Sequence, residues 1–306
     1  FTGFAATEPI YGHAGDVIGV KTGEFGRNRD GSNGKNYTPG IAIKAKFTIF
    51  AEGSRGQLGK ILIEKYQLDK NSCSQNYALG IKELWEIPTE NSKPGTVIHS
   101  LGWPLHSGTY GGAFLYHMGN NRVSIGLIVG LNYKNPWLSP FQEFQKLKTH
   151  PKILKNLQGG KRVGYGARSL TAGSLYSLPK YIFPGGALIG CNAGFLNSSR
   201  IKGSHSAIQS GILVAEAFHH STKNNDFSTA ILLKNFEEKF KKSWLYTELD
   251  TAKNFKGLMN KSMLFGGVVT YVEQNILRNK SFIKVPSTKP DHENLISSVS
   301  FQRKEY

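Results

Sequence analysis

Cysteine is almost absent: Cys73 and Cys191 are the only two among 306 residues. Two thiols cannot build the disulfide framework of a small secreted domain or the four ligands of an iron–sulfur cluster, and their scarcity suits reducing surroundings. No run of about 20 uncharged apolar residues occurs, so no segment reads as a bilayer-spanning helix. No GxGxxG turn follows a strand signal, which removes the usual pyrophosphate-binding entry of a dinucleotide fold. Acidic residues are few, 21 against 38 Lys and Arg, for a formal charge of +17. An anionic membrane surface, an acidic protein partner and plain solvation all fit that excess. The basic residues are dispersed and carry no RNP, zinc-finger or helix-turn-helix pattern, so nucleic acid is not an expected partner. No Ser-His-Asp, zinc or paired-carboxylate arrangement stands out, and no catalytic side chain or metal ligand is expected. The chain opens at Phe1 without a signal-like prefix, and so reads as a processed, truncated or partial product.

Glycine is what the chain has in quantity, 35 residues beside a hydrophobic content of 39%. That balance fits a globular, loop-rich α/β protein, with length for one large domain or two intertwined ones. The organising stretch is residues 183–218. A short strand, Ala187-Leu188-Ile189, leads into a Gly190-Cys191-Asn192-Ala193-Gly194 corner. A loop carrying Arg200 and Lys202 follows, then a helix opened by Gly203-Ser204, with Ile208, Ile212, Leu213, Ala215 and Phe218 as its apolar side. Small residues, among them Ser206, Ala207, Ser210 and Gly211, suit close neighbours. Glycines let backbone approach a ligand, and unpaired amides at a helix start favour an anionic or electron-rich group. A plain strand–helix corner of an α/β domain shows the same pattern.

In order, residues 1–50 read as hairpins, with Gly26–Gly40 as an exposed polar loop. The strand Phe47–Phe50 ends at Ala51-Glu52-Gly53, and Ser54-Arg55-Gly56 starts a helix carrying Leu58, Leu62, Ile63 and Tyr66 on one side. Regular strand signals over residues 77–131 predict a mostly antiparallel sheet. Within it, Tyr110-Gly111-Gly112 offers amides with no side chain in the way, or a hairpin turn. Phe114, Leu115 and Tyr116 line a channel or simply alternate in the sheet. Pro140 starts a helix to Thr149. Residues 227–254 form a helical stretch with Ile231, Leu232, Phe236 and Phe240 as its core stripe. The apolar run 258–277, interrupted by Lys261, Glu273 and Gly266-Gly267, reads either as an interfacial helix, with Arg278 and Lys280 near headgroups, or as core. Residues from Ser281 read as an extended tail.

GCNAGFLNSSRIKGSHSAIQSG resembles the last flavin-contacting segment of the electron-transfer flavoprotein–ubiquinone oxidoreductase family. FTIFAEGSRGQLGK, GWPLHSGTYGGAFLYH, LIVGLNYKNPWLSPFQEFQKLKTHP and GGKRVGYGARSL resemble the same family in the same order, so the resemblance covers nearly the whole chain. It implies an α/β (α+β) fold: part of a two-dinucleotide-fold-type FAD domain with an antiparallel-sheet quinone domain and a monotopic membrane surface. The implied domains are residues 1–76 and 166–222 for FAD, 77–165 for ubiquinone, and 223–306 as a helical region with a membrane-surface segment and tail.

For FAD the resemblance implies Ala51, Glu52, Gly53, Arg55, Gly190, Asn192, Ala193, Gly194, Gly203, Ser204 and His205. Arg55 lies near the phosphates or is solvated, and His205 reads more readily as a hydrogen-bonded structural histidine. For ubiquinone it implies Tyr110, Gly111, Gly112 and Phe114. Related flavoenzymes often carry Asp where this chain has Asn192, which keeps an acceptor oxygen without the charge. The implied activity passes electrons from reduced electron-transfer flavoprotein through FAD to ubiquinone at the matrix face of the mitochondrial inner membrane. A companion polypeptide would carry the first FAD motif and the cysteines of a four-iron, four-sulfur cluster. A structural subunit of a respiratory assembly, or another flavin-dependent enzyme of the superfamily, remain the alternatives.

Overall fold

The opening residues alternate β-prone pairs with turn residues, and they fold as short strands. In the computed structural model, which describes residues 2–223, 228–277, 283–287 and 289–300, β1 (Ala6–Tyr11) pairs antiparallel with β2 (Val17–Thr22). β3 (Phe25–Arg27) and β4 (Asn33–Thr38) form a hairpin where the polar composition predicts a loop. Asp30 builds its turn by accepting from Ser32 N at 2.9 Å, and backbone pairing supplies what apolar patterning lacks. β5 (Ala42–Lys44) joins β2, and β6 (Thr48–Phe50) leads to α1 (Gln57–Tyr66), which buries Leu58 and Leu62.

The next stretch is the expected antiparallel sheet. β7 (Tyr77–Glu86), β8 (Val97–Leu101), β9 (Gly111–Met118) and β10 (Arg122–Gly130) are followed by α2 (Pro140–Lys148), α3 (Pro151–Leu157) and β11 (Lys161–Thr171). The strand order is β11-β7-β10-β9-β8. β11 runs across the domain boundary placed at residue 165. Both helices begin at proline, with Ser139 and His150 accepting at their N-caps, and α2 packs on β10 and β7. Their core joins Leu115, Val123, Ile125, Leu127 and Val129 to Phe144 and Leu147.

β12 (Ile182–Phe183) and β13 (Gly186–Leu188) return the chain to β6, in the order β12-β13-β6. α4 (Ser204–Lys223), α5 (Thr229–Lys242) and α6 (Trp244–Thr251) complete this part, with Leu232, Phe236 and Phe240 buried as the core stripe predicts. The apolar side expected for α4 is buried only in part: Leu213 is buried and Phe218 packs against the core, but Ile208 and Ile212 are 65% and 45% exposed, and Val214 and Ala217 are buried with Ser206, Ser210 and Ser221 instead. Small side chains let this helix lie close to its neighbours, which overrides hydrophobicity in choosing the face. α7 (Phe255–Lys261) and α8 (Met263–Tyr271) follow, α8 passing into a π-helical turn over Val272–Ile276.

The chain divides into two units. One holds Phe1–Ser72 with Leu175–Asp250; the other holds Cys73–Ser174 with Thr251–Tyr306. Arg278 and Lys280 lie outside the described residues, as does part of the expected tail. Among the described residues no helix is long and apolar enough to cross a membrane.

Candidate functional site

Two separate stretches of the first unit meet at one sheet edge. β13 runs parallel to β6, with Leu188 opposite Phe50, and Ile189 N donates to Phe50 O at 3.0 Å. The corner after Phe50 and the corner after Ile189 therefore leave the sheet side by side at its carboxyl end, where α/β folds bind ligands. Gly190 turns with φ 58°, and its N–H donates to Ser210 Oγ on α4 at 2.9 Å, fixing the corner to the helix. Ser206 Oγ, also on α4, donates to Phe195 O at 2.7 Å.

Asn192 points from this corner onto α1. A Cβ on Gly59 would overlap its Oδ1, and one on Gly56 would lie 2.6 Å from it, so the two glycines make room for the amide. Asn192 is buried, and its Nδ2 has no hydrogen-bond partner among the described residues. A buried donor without an acceptor is costly, and a ligand oxygen here would remove the cost. The atom left over is the nitrogen, whereas residue type alone drew attention to the oxygen. Gly194, with φ 94°, and the buried Ala193 continue the corner. Glu52 has another duty: its Oε1 and Oε2 accept from Leu58 N at 3.1 Å and Gly59 N at 2.7 Å, capping α1. Ala51, Glu52 and Arg55 are exposed, and Gly53 is buried.

Before α4, Asn197 Oδ1 accepts from Ser199 and Arg200, and Ile201 takes φ 53°, rare for a β-branched residue. Gly203 O accepts from Ala207 N at 2.8 Å as the helix begins, so the Gly203-Ser204-His205 amides form its start. His205 Nε2 is 2.9 Å from Glu248 Oε1, and its ring stacks on Trp244 at 5.5 Å. Burial pushes the Glu248 carboxyl up, but hydrogen bonds from Asn197 and His205 outweigh it and hold the group below the usual range.

In the second unit Tyr110 precedes the glycine pair. Gly111 and Gly112 are not a hairpin turn. They open β9, Gly112 pairing with Ile128 on one side and Leu101 on the other. A Cβ on Gly112 would sit 2.7 Å from Ser100 O, and one on Gly111 would overlap Ile128 O, so both serve close strand approach. Along β9, Gly111, Ala113 and Leu115 face the core, which makes Leu115 a core residue and not a channel one. Gly112, Phe114 and Tyr116 share the half-open face, the two rings 4.9 Å apart.

Sequence reading missed Lys256, which lies between the polar stretch Thr251–Asn254 and the apolar run that starts at Leu258. It is almost fully buried, its Nζ 5.2 Å from the Tyr110 ring centroid and 3.1 Å from Asn132 Oδ1. Burial pushes its pKa down to about 8, against the raising effect of Asp291, and burial pushes Tyr110 up to about 12. The chain's two cysteines do not fit a four-thiolate cluster, and the described residues hold no group of three potential metal ligands. The Asn192 corner, with its buried unpartnered donor, does fit the oxygen-rich chain of FAD.

The mixed α/β fold is shared with proteins of known structure. It matches a geranylgeranyl bacteriochlorophyll reductase-like protein from Thermoplasma acidophilum with TM-score 0.64 at 16% identity, over 93% of this chain and 64% of that one. It matches the flavin-dependent halogenase CmlS with TM-score 0.52 at 16% identity, over 82% of this chain and 42% of that one. Sequence narrows the class. Residues 77–170 match the family model described as ETF-QO, ubiquinone-binding. The chain is 47% identical to the electron transfer flavoprotein-ubiquinone oxidoreductase of Pseudomonas aeruginosa, over 95% of this chain and 53% of that protein. It is 46% identical to the mitochondrial human protein of that name, over 88% of this chain and 45% of that protein. The chain belongs to the electron transfer flavoprotein-ubiquinone oxidoreductase family and spans about half the length of the curated relatives it matches.

Proposed function

We propose that this chain supplies part of the FAD site and the ubiquinone site of an oxidoreductase that moves electrons from reduced electron-transfer flavoprotein to ubiquinone. The observation that carries the reading is the Asn192 corner: two glycine turns leave parallel strands together and present a buried N–H without an acceptor. FAD, when bound, supplies the two-electron chemistry. Asn192 Nδ2 would donate to an oxygen of its chain, and Gly190, Ala193 and Gly194 would allow close approach. The α4 start at Gly203, Ser204 and His205 would favour negative charge on the ring. Ala51, Gly53 and Arg55 lie at the second corner, and Glu52 shapes it by capping α1. In the other unit, Tyr110, Gly111, Gly112 and Phe114 form the quinone site. There Gly112 and Phe114 offer the half-open face of the sheet, while Tyr110 and Gly111 set the strand's start.

The rest of the pocket comes from a segment or companion chain bearing the first dinucleotide motif and the cluster cysteines. β6 is a sheet edge among the described residues, and Ile49 on it, Ile61 on α1 and Ile208 and Ile212 on α4 are all exposed, as such a neighbour would require. The exposed apolar stripe of α8 would seat the protein on one leaflet, at the matrix face of the inner membrane where the host has mitochondria. The division of labour takes the expected segments, residues 1–76 and 166–222 for FAD and 77–165 for quinone, except that β11 carries residues 166–171 with the quinone sheet. The test is the intact protein with its companion: bound FAD, and quinone-dependent oxidation of reduced electron-transfer flavoprotein. Assembled protein that neither retains FAD nor passes electrons to ubiquinone defeats the proposal.

A further inference from the structure

Lys256 is a buried ammonium that nothing above uses. It sits on α7, in the second unit, with one N–H donated to Asn132 Oδ1 at 3.1 Å and its charge against the Tyr110 ring at 5.2 Å. A scaffold of amides fixes it in place. Asn132 Nδ2 donates to Asn260 Oδ1 at 2.8 Å, and Asn260 Nδ2 donates to Ser287 Oγ at 2.9 Å. Phe255, the preceding residue, meets Tyr110 edge-on at 5.8 Å, and Tyr110 O accepts from Gly130 N at 2.8 Å. Tyr110 is thus clamped from two sides, and one clamp carries a charge. Burying an ammonium for packing alone is wasteful, because an apolar side chain would hold Tyr110 without the desolvation cost. The charge therefore calls for a use.

We propose that Lys256 is a positioning residue of the quinone site, holding Tyr110 at the head of Gly111–Gly112 and keeping a positive charge beside the bound quinone headgroup. This rests on the reading of Tyr110–Gly112 as the quinone site. Reduction of a quinone takes two electrons, here from reduced electron-transfer flavoprotein, and two protons from solvent, to give the hydroquinone. Negative charge builds on the oxygens before protonation catches up, and a fixed cation in a dry setting lowers that barrier. The charged groups around Lys256 are Asp291, with His292 beside it, and the neutral Tyr110 phenol; Glu273, on the turn after α8, is engaged by Asn254 Nδ2 at 2.9 Å. Asp291 is itself held by Tyr77 N at 2.7 Å and Asn76 Nδ2 at 2.8 Å. With a pKa lowered to about 8, Lys256 loses its charge in mildly alkaline solution, where an exposed lysine would keep it.

The experiment uses the intact FAD-bearing protein, reduced electron-transfer flavoprotein and decylubiquinone from pH 6 to 10. Wild type should lose quinone kcat/KM above about pH 8. Lys256→Met should start about tenfold lower at pH 7 and show no such break. Lys256→Arg should keep the neutral value and carry it to higher pH. Asp291→Asn, which removes the partner that raises the Lys256 pKa, should move the wild-type break to lower pH. The melting temperature gives a readout independent of turnover: wild type should gain on Lys256→Met as pH climbs above about 8, because the buried group then sheds its charge. A break that survives in Lys256→Met, or an Arg variant as slow as Met, overturns the proposal. Tyr110→Ala and Phe114→Ala separate the two claims. If both leave the quinone KM untouched, the site reading fails. If they raise it while Lys256→Met changes nothing, only the role of Lys256 fails.

Discussion

Two buried polar side chains carry opposite lessons. Asn192 is under-satisfied by the protein itself, whereas Glu83 is over-satisfied. Glu83 accepts from Lys148 Nζ at 2.9 Å, Arg162 Nη1 at 3.2 Å and Trp85 Nε1 at 2.8 Å. Burial pushes its carboxyl up, but these partners outweigh it and leave the pKa below the usual value. The stabilisation is therefore present at neutral pH and is lost as acid protonates the folded carboxylate. Lys148→Met should cost about 3 kcal/mol at pH 7, at the low end for a broken buried pair because Arg162 remains, with the deficit shrinking in acid as the Glu83 carboxylate is protonated. Urea unfolding at pH 7 and in acid checks it, and an equal deficit at the two would contradict the account. For Asn192 the reading is of a ligand and not of stability. Asn192→Ala should weaken FAD binding about tenfold, one net hydrogen bond, while the melting temperature without FAD stays level or rises. Flavin fluorescence titration decides it, and an unchanged FAD affinity would remove the corner from the site.

The elements show where pattern reading succeeds. The sheet over 77–131 was legible because its strands alternate one buried and one half-open face, a period-two signal. The β3–β4 hairpin was not, since its residues are polar and its stability lies in backbone pairing. α4 followed the pattern only in part: Leu213 and Phe218 of its apolar side meet the core, but its closest packing uses Ser206 and Ser210, and hydropathy also points to Ile208 and Ile212, which are exposed. The proposed site is drawn from the two glycine corners, where backbone demands are written in glycine. It was illegible at Lys256, whose burial is a tertiary event. α8 left two readings open, and its geometry gives a testable form to one of them. Gly266 brings it against α7, where a Cβ would sit 2.6 Å from Leu258 O. Glu273 is buried, while Leu264, Phe265, Val268 and Tyr271 are 83%, 60%, 58% and 64% exposed. Phe265→Glu and Val268→Glu should each cut binding to phosphatidylcholine–cardiolipin vesicles at least tenfold and shift stability by under about 0.5 kcal/mol. Full vesicle binding by the double variant would defeat the interfacial reading of α8.

For the whole molecule, the informative fact is that each unit owns a core. Phe183, Phe195, Leu213 and Phe236 anchor one; Leu115, Ile125, Phe144 and Leu147 anchor the other. The proposed ligands divide the same way, FAD on the first unit's glycine corners and quinone beside Tyr110 in the second. A ligand that binds only the native form stabilises by RT ln(1 + [L]/Kd), about 2.7 kcal/mol at a hundredfold excess over Kd. For a unit of about 150 residues that amounts to a rise of roughly 5–10 °C. Local probes should then respond separately. Hydrogen exchange in β13 and α4 should slow with FAD, and exchange in β9 and α7 should slow with decylubiquinone. The Lys256 account adds a condition to the second response: protection of α7 by the quinone should weaken above about pH 8 in wild type and be independent of pH in Lys256→Met. Protection that spreads evenly over both units with either ligand would show that the division into two ligand-bearing cores is the wrong description.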